Sequence, residues 1–338
     1  MPEIADKVPE DVPAAEPAAQ TETVAFAPGD LLACGRCGRN NPPTRFDCLY
    51  CGNELEISAD RAAGIPHVSR PLETWENGHN VIVDKASADC DRTGAACLVA
   101  IELEVVSAIV DAETPLPIAR VRTETEAASI VAGLGPLGFT CTLIADASLS
   151  AVTTPVRLSG VEFFDKSVGL IDFNTGDLTE IENEDLTLLV PGVISATRLD
   201  SFEKKGRKGK SKLLGETATA SDESVLDIYS RYDGNGFRVH FAGFDFSCLE
   251  DEKTLLASEN IRRLAVVLRG RSPNVKFVDN YRLVRQALGP VWPIESRNDS
   301  QGIQRSGFDG VKFGNVASTS NLGQFTKYSR MQWQLIHR

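Results

Sequence analysis

Four cysteines stand in two matched pairs, Cys34-Gly-Arg-Cys37-Gly and Cys48-Leu-Tyr-Cys51-Gly, separated by ten residues. That spacing closes four thiolates around a single tetrahedral ion. Each pair is a turn that points two sulfurs the same way, and the glycines that follow, Gly38 and Gly52, accept the positive φ that brings backbone N–H groups to the sulfurs. An all-sulfur tetrahedral set favours zinc, with iron as the alternative. Cys34, Cys37, Cys48 and Cys51 are therefore the expected metal ligands. Because protein thiolates fill all four positions, none is left open to substrate or water, and the ion is expected to be structural.

On this double CxxCG, residues 31–57 resemble the rubredoxin-like zinc ribbons. Rubredoxins usually carry a proline directly after the third cysteine, where this chain has Leu49, a departure that tilts the expected ion (Zn2+) away from iron. The resemblance implies how some thirty residues fold and implies no reaction. Arg36, Arg39 and Arg45 are read as compensating the double negative charge of a metal with four thiolates, contact with nucleic acid being the alternative. The overall pattern is similar to uncharacterised bacterial zinc-ribbon proteins.

A chain of 338 residues has room for two or three domains with cores of their own. It contains no run of eighteen apolar residues, so no membrane span is expected, and Met1 to Gln20 lacks the basic start of a secretory signal. Eight cysteines, four of them committed to metal, fit a reducing cytoplasm better than a disulfide framework. The net charge of −12 is segregated. Residues 261–338 hold thirteen Lys and Arg against four Asp and Glu, a net of +9, which leaves −21 on residues 1–260. Such asymmetry suggests an acidic partner for the C-terminal part, or a contact between the two ends of the chain.

Along the chain, residues 1–30 have the Pro, Ala and Glu composition of a disordered acidic tail. The ribbon (31–57) and a linker (58–76) follow. From 77 to 147 the apolar spacing predicts a strand at Val81–Val83, two short helices between Arg92 and Ala112, a strand at Ile118–Val121, a helix opened by Thr123-Glu124-Thr125-Glu126 and a last strand from Phe139. This βααβαβ order resembles the small domain shared by the ribosomal stalk protein's C-terminal module and the N-end-rule adaptor of the Clp protease. An adaptor or factor-recruiting role is what that resemblance implies. Residues 154–272 read as short strands closed by a helix from Leu255 to Leu268, similar to a pleckstrin-homology-type barrel, with a flexible basic loop at 201–223 centred on Lys204 to Lys212. Residues 273–338 read as a basic extension pinned by Tyr281, Trp292, Phe325, Tyr328 and Trp333. The expected fold class is thus multi-domain α+β: a small zinc ribbon, a βααβαβ module, and an antiparallel β barrel or sheet closed by a C-terminal helix.

Catalytic patterns are scarce. Gly133-Leu134-Gly135-Pro136-Leu137-Gly138 matches GxGxxG, but it closes a helix and precedes a strand, the reverse of a dinucleotide fingerprint, and is read as a helix cap. Asp172 to Asn183 fails the calcium-loop pattern at three positions. Cys97 and Cys141 are read as core rather than nucleophiles. The expectation is a cytoplasmic, non-enzymatic, zinc-binding interaction or regulatory protein with a protein partner. The alternative is a nucleic-acid- or ribosome-associated protein using the basic loop and the basic C-terminal third, Arg262, Arg263, Arg269 and Arg271 among it.

Overall fold

The computed structural model describes residues 26–58, 72–149, 153–205, 211–305 and 311–338. Most of the expected acidic tail, residues 59–71 of the expected linker and residues 206–210 of the expected basic loop lie outside them. The chain forms two compact units, Met1–Glu56 and Ile57–Arg338. In the small unit β1 (Leu32–Ala33) pairs antiparallel with β2 (Asn40–Asn41).

The large unit begins with the predicted order of elements. These are β3 (His79–Ala86), α1 (Arg92–Val99), α2 (Leu103–Asp111), β4 (Leu116–Val121), α3 (Glu124–Leu134) and β5 (Phe139–Ala145), followed by the one-turn helix α4 (Asp146–Leu149). Side chains set the helix starts: the Gly94 N–H donates to Asp91 at 2.9 Å, and the Glu126 N–H donates to the Thr123 hydroxyl at 3.2 Å. The apolar β3 lies between β4 and β5, antiparallel to both. After α3 a 3₁₀ turn, Gly135–Leu137, leads to Gly138 at φ 90° and then into β5. The GxGxxG stretch therefore ends a helix and offers no helix N-terminus to a phosphate. The residue taking the left-handed conformation is Gly138, four positions beyond the helix.

The remaining strands are β6 (Val156–Phe163), β7 (Ser167–Asp172), β8 (Leu178–Glu182), β9 (Leu186–Lys205), β10 (Ser211–Ser230), β11 (Phe237–His240), β12 (Lys276–Phe277), β13 (Glu295–Arg305) and β14 (Val311–Ser320). Three helices accompany them: α5 (Ala257–Arg271), α6 (Tyr281–Val284) and α7 (Leu322–Ile336). Among the described residues the strands make one open sheet in the order β13-β14-β9-β10-β11-β6-β7-β8, with β12 beside β9.

No barrel closes, because β9 gives its second edge to β12 and β14 instead of completing a ring. Residues 273–338 are not an extension laid over a finished domain: β14 pairs with β9 from Ala196 to Lys205, and α7 fills the core. Within 201–223 the described residues are strand, since β9 and β10 pair from Lys205 and Ser211 back to Leu186 and Ser230. Residues 215–222 are exposed along β10, so polar Thr217, Thr219 and Ser221 imitate a loop composition while their backbone stays in the ladder. Residues 72–76 belong to the fold rather than to a linker, because the Arg120 guanidinium donates to the carbonyls of Leu72, Glu73 and Glu76.

Alternation along β9 and β10 sends side chains to two cores. Leu189, Leu226 and Ile228 meet Ile261, Leu264 and Leu268 of α5. Leu188, Val190, Val225 and Tyr229 join Phe325, Tyr328 and Met331 of α7, together with Val81, Ile82 and the rest of the β3–β5 layer. Helix α7 is thus enclosed, and its polar residues are buried with it: Gln324, Thr326, Ser329, Arg330 and Gln332. The Tyr229 hydroxyl donates to Ser329 at 2.9 Å, and Gln324 accepts from Tyr281 at 3.0 Å and donates to the Trp292 carbonyl at 2.8 Å. Gly192 lets the Phe325 ring reach the sheet, since a Cβ there would stand 2.2 Å from Phe325 Cε2.

At the same interface Arg238 donates to both carboxylate oxygens of Asp227 at 2.6 and 2.8 Å and to Thr326 of α7 at 3.1 Å, with both charged side chains almost fully buried. Burial works against the charge on Arg238, but Asp227 outweighs it and holds the guanidinium above its ordinary value. Asp227→Ala should destabilise the large unit by about 3–5 kcal/mol in denaturant unfolding, because it leaves Arg238 buried and unpaired. Asp227→Leu combined with Arg238→Met should recover most of that loss. Equal damage from the single and the double variant would contradict this account.

Candidate metal centre

Two equivalent turns build the cysteine site. In the first, the Cys34 N–H donates to the Arg39 carbonyl at 3.0 Å and the Gly38 N–H to the Cys34 carbonyl at 2.8 Å. In the second, the Cys48 N–H donates to Asn53 at 2.8 Å and the Gly52 N–H to Cys48 at 2.9 Å. Gly38 and Gly52 sit at φ 69° and 68°, the left-handed conformation that the sequence requires of them. Asn41 ties the turns together. Its fully buried amide donates to the Arg39 carbonyl at 2.9 Å and accepts the Leu49 N–H at 2.8 Å. Phe46 and Leu55 supply a small apolar floor, joined by a 2.9 Å bond from the Leu55 N–H to the Phe46 carbonyl.

The four expected ligands come together. Their sulfurs all lie within 4.8 Å of one another, with Cys34 and Cys51 at 3.7 Å and Cys37 and Cys48 at 3.6 Å. A tetrahedral ion with metal–sulfur bonds of about 2.3 Å has sulfur–sulfur edges of about 3.8 Å, so the set is placed to hold one metal ion. Cys34 and Cys48 are buried, Cys51 is half-buried and Cys37 is exposed.

The sulfurs are electrostatically unequal. Cys34 is lowered, chiefly by the Cys37 backbone N–H and against the effect of burial. Burial opposes the Cys48 thiolate, yet the N–H groups of Tyr50 and Cys51 and the Asn41 amide outweigh it and bring the group down to about 6. For Cys51 the Asn53 N–H favours the thiolate, but burial and the other three sulfurs prevail and push it up to about 11. Four thiolates this close repel one another unless a cation stands between them, and that is the chemistry of the donor set.

The arginines expected to balance this charge divide. Arg45 pairs with Asp47 at 2.8 Å, and Arg39 lies over the Tyr50 ring, 4.7 Å from its centre. On the second turn Leu49 and Tyr50 are both more than half exposed.

Elsewhere, Cys97 is exposed rather than core, while burial pushes the half-buried Cys141 thiol up to about 12. Arg263 pairs with Glu259 at 2.8 Å, and Arg269 and Arg271 lie over Phe277 and Phe163, so these three are engaged within the fold. Sequence reasoning did not single out Asn41, whose role depends on two turns that meet only in the folded unit. No family model, no curated protein and no solved structure matches the chain. The site and fold therefore define no more than a protein of mixed helix and sheet with a four-cysteine metal-binding cluster.

Metal binding must displace the proton from any sulfur whose pKa lies above the working pH. Affinity should therefore rise with pH across the interval from about 6, where Cys48 gives up its proton, to about 11, where Cys51 does. A competition titration against a chromogenic chelator at a series of pH values measures this, and flat affinity would contradict it. Cys48→Ser should lose the metal, while Arg36→Ala, a change outside the ligand set, should keep it.

Proposed function

We propose that the protein is a non-enzymatic, zinc-binding interaction protein of the cytoplasm, in which the four-cysteine unit presents a contact surface to a protein partner. The closed ligand set carries this reading. Four thiolates leave a zinc ion no open position for a substrate, so the ion's work is to hold the two turns. With so few buried apolar residues in the unit, metal binding supplies its folding energy. The surface so held exposes Leu49 and Tyr50 side by side, with Arg39 against the Tyr50 ring. A tyrosine and an arginine in one small patch are residue types enriched where proteins bind proteins. The eight cysteines are free thiols, in keeping with a reducing compartment.

A second reading, contact with nucleic acid, is favoured by the register of the large sheet. Lys204 of β9 stands opposite Lys212 of β10 on one side and Lys312 of β14 on the other. Three basic positions thus share one row of the ladder, and basic residues neutralise the phosphates of a polyanion.

Affinity capture from the native host with the full chain separates the two readings. Proteins retained after nuclease treatment, and lost when Leu49→Glu and Tyr50→Ala are combined in a chain that keeps its zinc, are the expected result. Capture that vanishes with nuclease, or with Lys204, Lys212 and Lys312 changed to Ala, would instead favour nucleic acid. Capture insensitive to all of these changes would contradict both.

A further inference from the structure

We propose that the cleft beside the first turns of α7 binds a small organic anion, with Lys327 as the anion-pairing group and Trp75 as an apolar wall at the rim. The cleft encloses about 340 Å³, at the lower end of the roughly 300–1,000 Å³ typical of small-molecule pockets.

Its walls are preorganised. The Arg120 side chain is 4% exposed and donates through Nε to Asp146 at 2.8 Å, while its other nitrogens hold the carbonyls of Leu72, Glu73 and Glu76. Asp146 also accepts the Gly78 N–H at 2.8 Å and the Asn80 amide at 2.9 Å, and Asn80 in turn accepts the Trp292 indole N–H at 2.8 Å. Glu76 is paired with Arg122 at 2.6 Å. Glu295 stands over Gly323, whose missing Cβ would lie 2.0 Å from Glu295 Oε1. That places the carboxylate at the first turn of α7, where the helix dipole favours negative charge.

Lys327 differs from these neighbours. It lines the cleft and is only partly exposed, yet it has no hydrogen-bond or ion-pair partner among the described residues. Burial, reinforced by Arg120, holds its ammonium below the ordinary lysine value, against the pull of Asp146 and Glu295. A cation taken out of water without a partner is unfavourable, and an anion entering the cleft removes that penalty. Of the nearby carboxylates, Asp146 is committed to Arg120 and Glu76 to Arg122, while Glu295 stands at the first turn of α7. Trp75 is 78% exposed at the same cleft, so the ligand that fits best joins one carboxylate or phosphate to a flat apolar body. The site is independent of the metal centre.

The test titrates the full chain with phenylacetate and with phenyl phosphate, each against its neutral counterpart, phenylacetamide or phenol, by calorimetry. Saturable binding of at least one anion is expected, with the neutral compound about tenfold weaker or more, because the charged hydrogen bond is lost. Lys327→Met should abolish the difference between anion and neutral compound, whereas Lys327→Arg should preserve it. The ligand-free Lys327→Met protein should melt no lower than the wild type, because an unpaired cation has been removed. A lower melting point would assign Lys327 a structural role and overturn the proposal. So would binding of neither anion up to about 10 mM, well above the ~1 mM at which a ligand contributing about 4 kcal/mol half-saturates, or equal affinity for anion and neutral compound in the wild type.

Discussion

The large unit depends on burying a polar helix. Helix α7 closes the chain, lies between the open sheet and the β3–β5 layer, and brings Gln324, Thr326, Ser329 and Arg330 into the interior with its aromatic residues. An interior polar group destabilises unless it is bonded, so each of these fixes a neighbour in one place. Ser329 fixes Tyr229, Thr326 meets the Arg238–Asp227 pair, and Gln324 bridges Tyr281 to Trp292. Trp292 carries the connection onward through Asn80 to Asp146 and Arg120. A core joined this way has one arrangement. An apolar helix of the same volume could slide or rotate, whereas α7 cannot move without breaking several bonds.

The small unit is held by different means. It has little to bury beyond Phe46, Leu55 and the two inner cysteines, and its turns gather four sulfurs whose charges oppose one another. A metal ion held among the four sulfurs would turn that repulsion into the main attraction. The pairing of a lowered Cys48 with a raised Cys51 shows the conflict within the protein alone, since backbone donors favour one thiolate at the expense of the next.

How much of this is legible in the chain follows from where each partner lies. The cysteine site is local, with every ligand inside eighteen residues, and the spacing alone gives ligands, turns and glycine conformations. The βααβαβ order is legible for the same reason: each element carries its own apolar period, and two of the three helices start at a side-chain cap, Asp91 and Thr123. The long β9–β10 hairpin is not. Residues 215–222 of β10 are exposed without interruption, so this stretch lacks the apolar alternation that marks a strand, and the lysines and glycines before it suggest a loop. The C-terminal residues mislead in the opposite sense. Ser329 and Arg330 lie in what the composition suggests is a basic extension, and only distant partners, the Tyr229 hydroxyl for Ser329 and the Thr153 carbonyl 177 positions away for Arg330, make their burial tolerable. Lys327 is invisible in the sequence because what sets it apart is its lack of a partner in a folded cleft.

The role proposed above, presenting surfaces, asks each unit to hold its shape. The claim beneath that account is that the metal folds the small unit, while α7 and its bonds fold the large one. Hydrogen–deuterium exchange of the full chain before and after metal removal by a chelator under reducing conditions tests it most directly. Amides within residues 31–57 are expected to lose protection, those of Cys34, Gly38, Cys48 and Gly52 included, while the strands of the large sheet and α7 keep theirs. Unchanged protection in 31–57, or loss that spreads through α7, would contradict it.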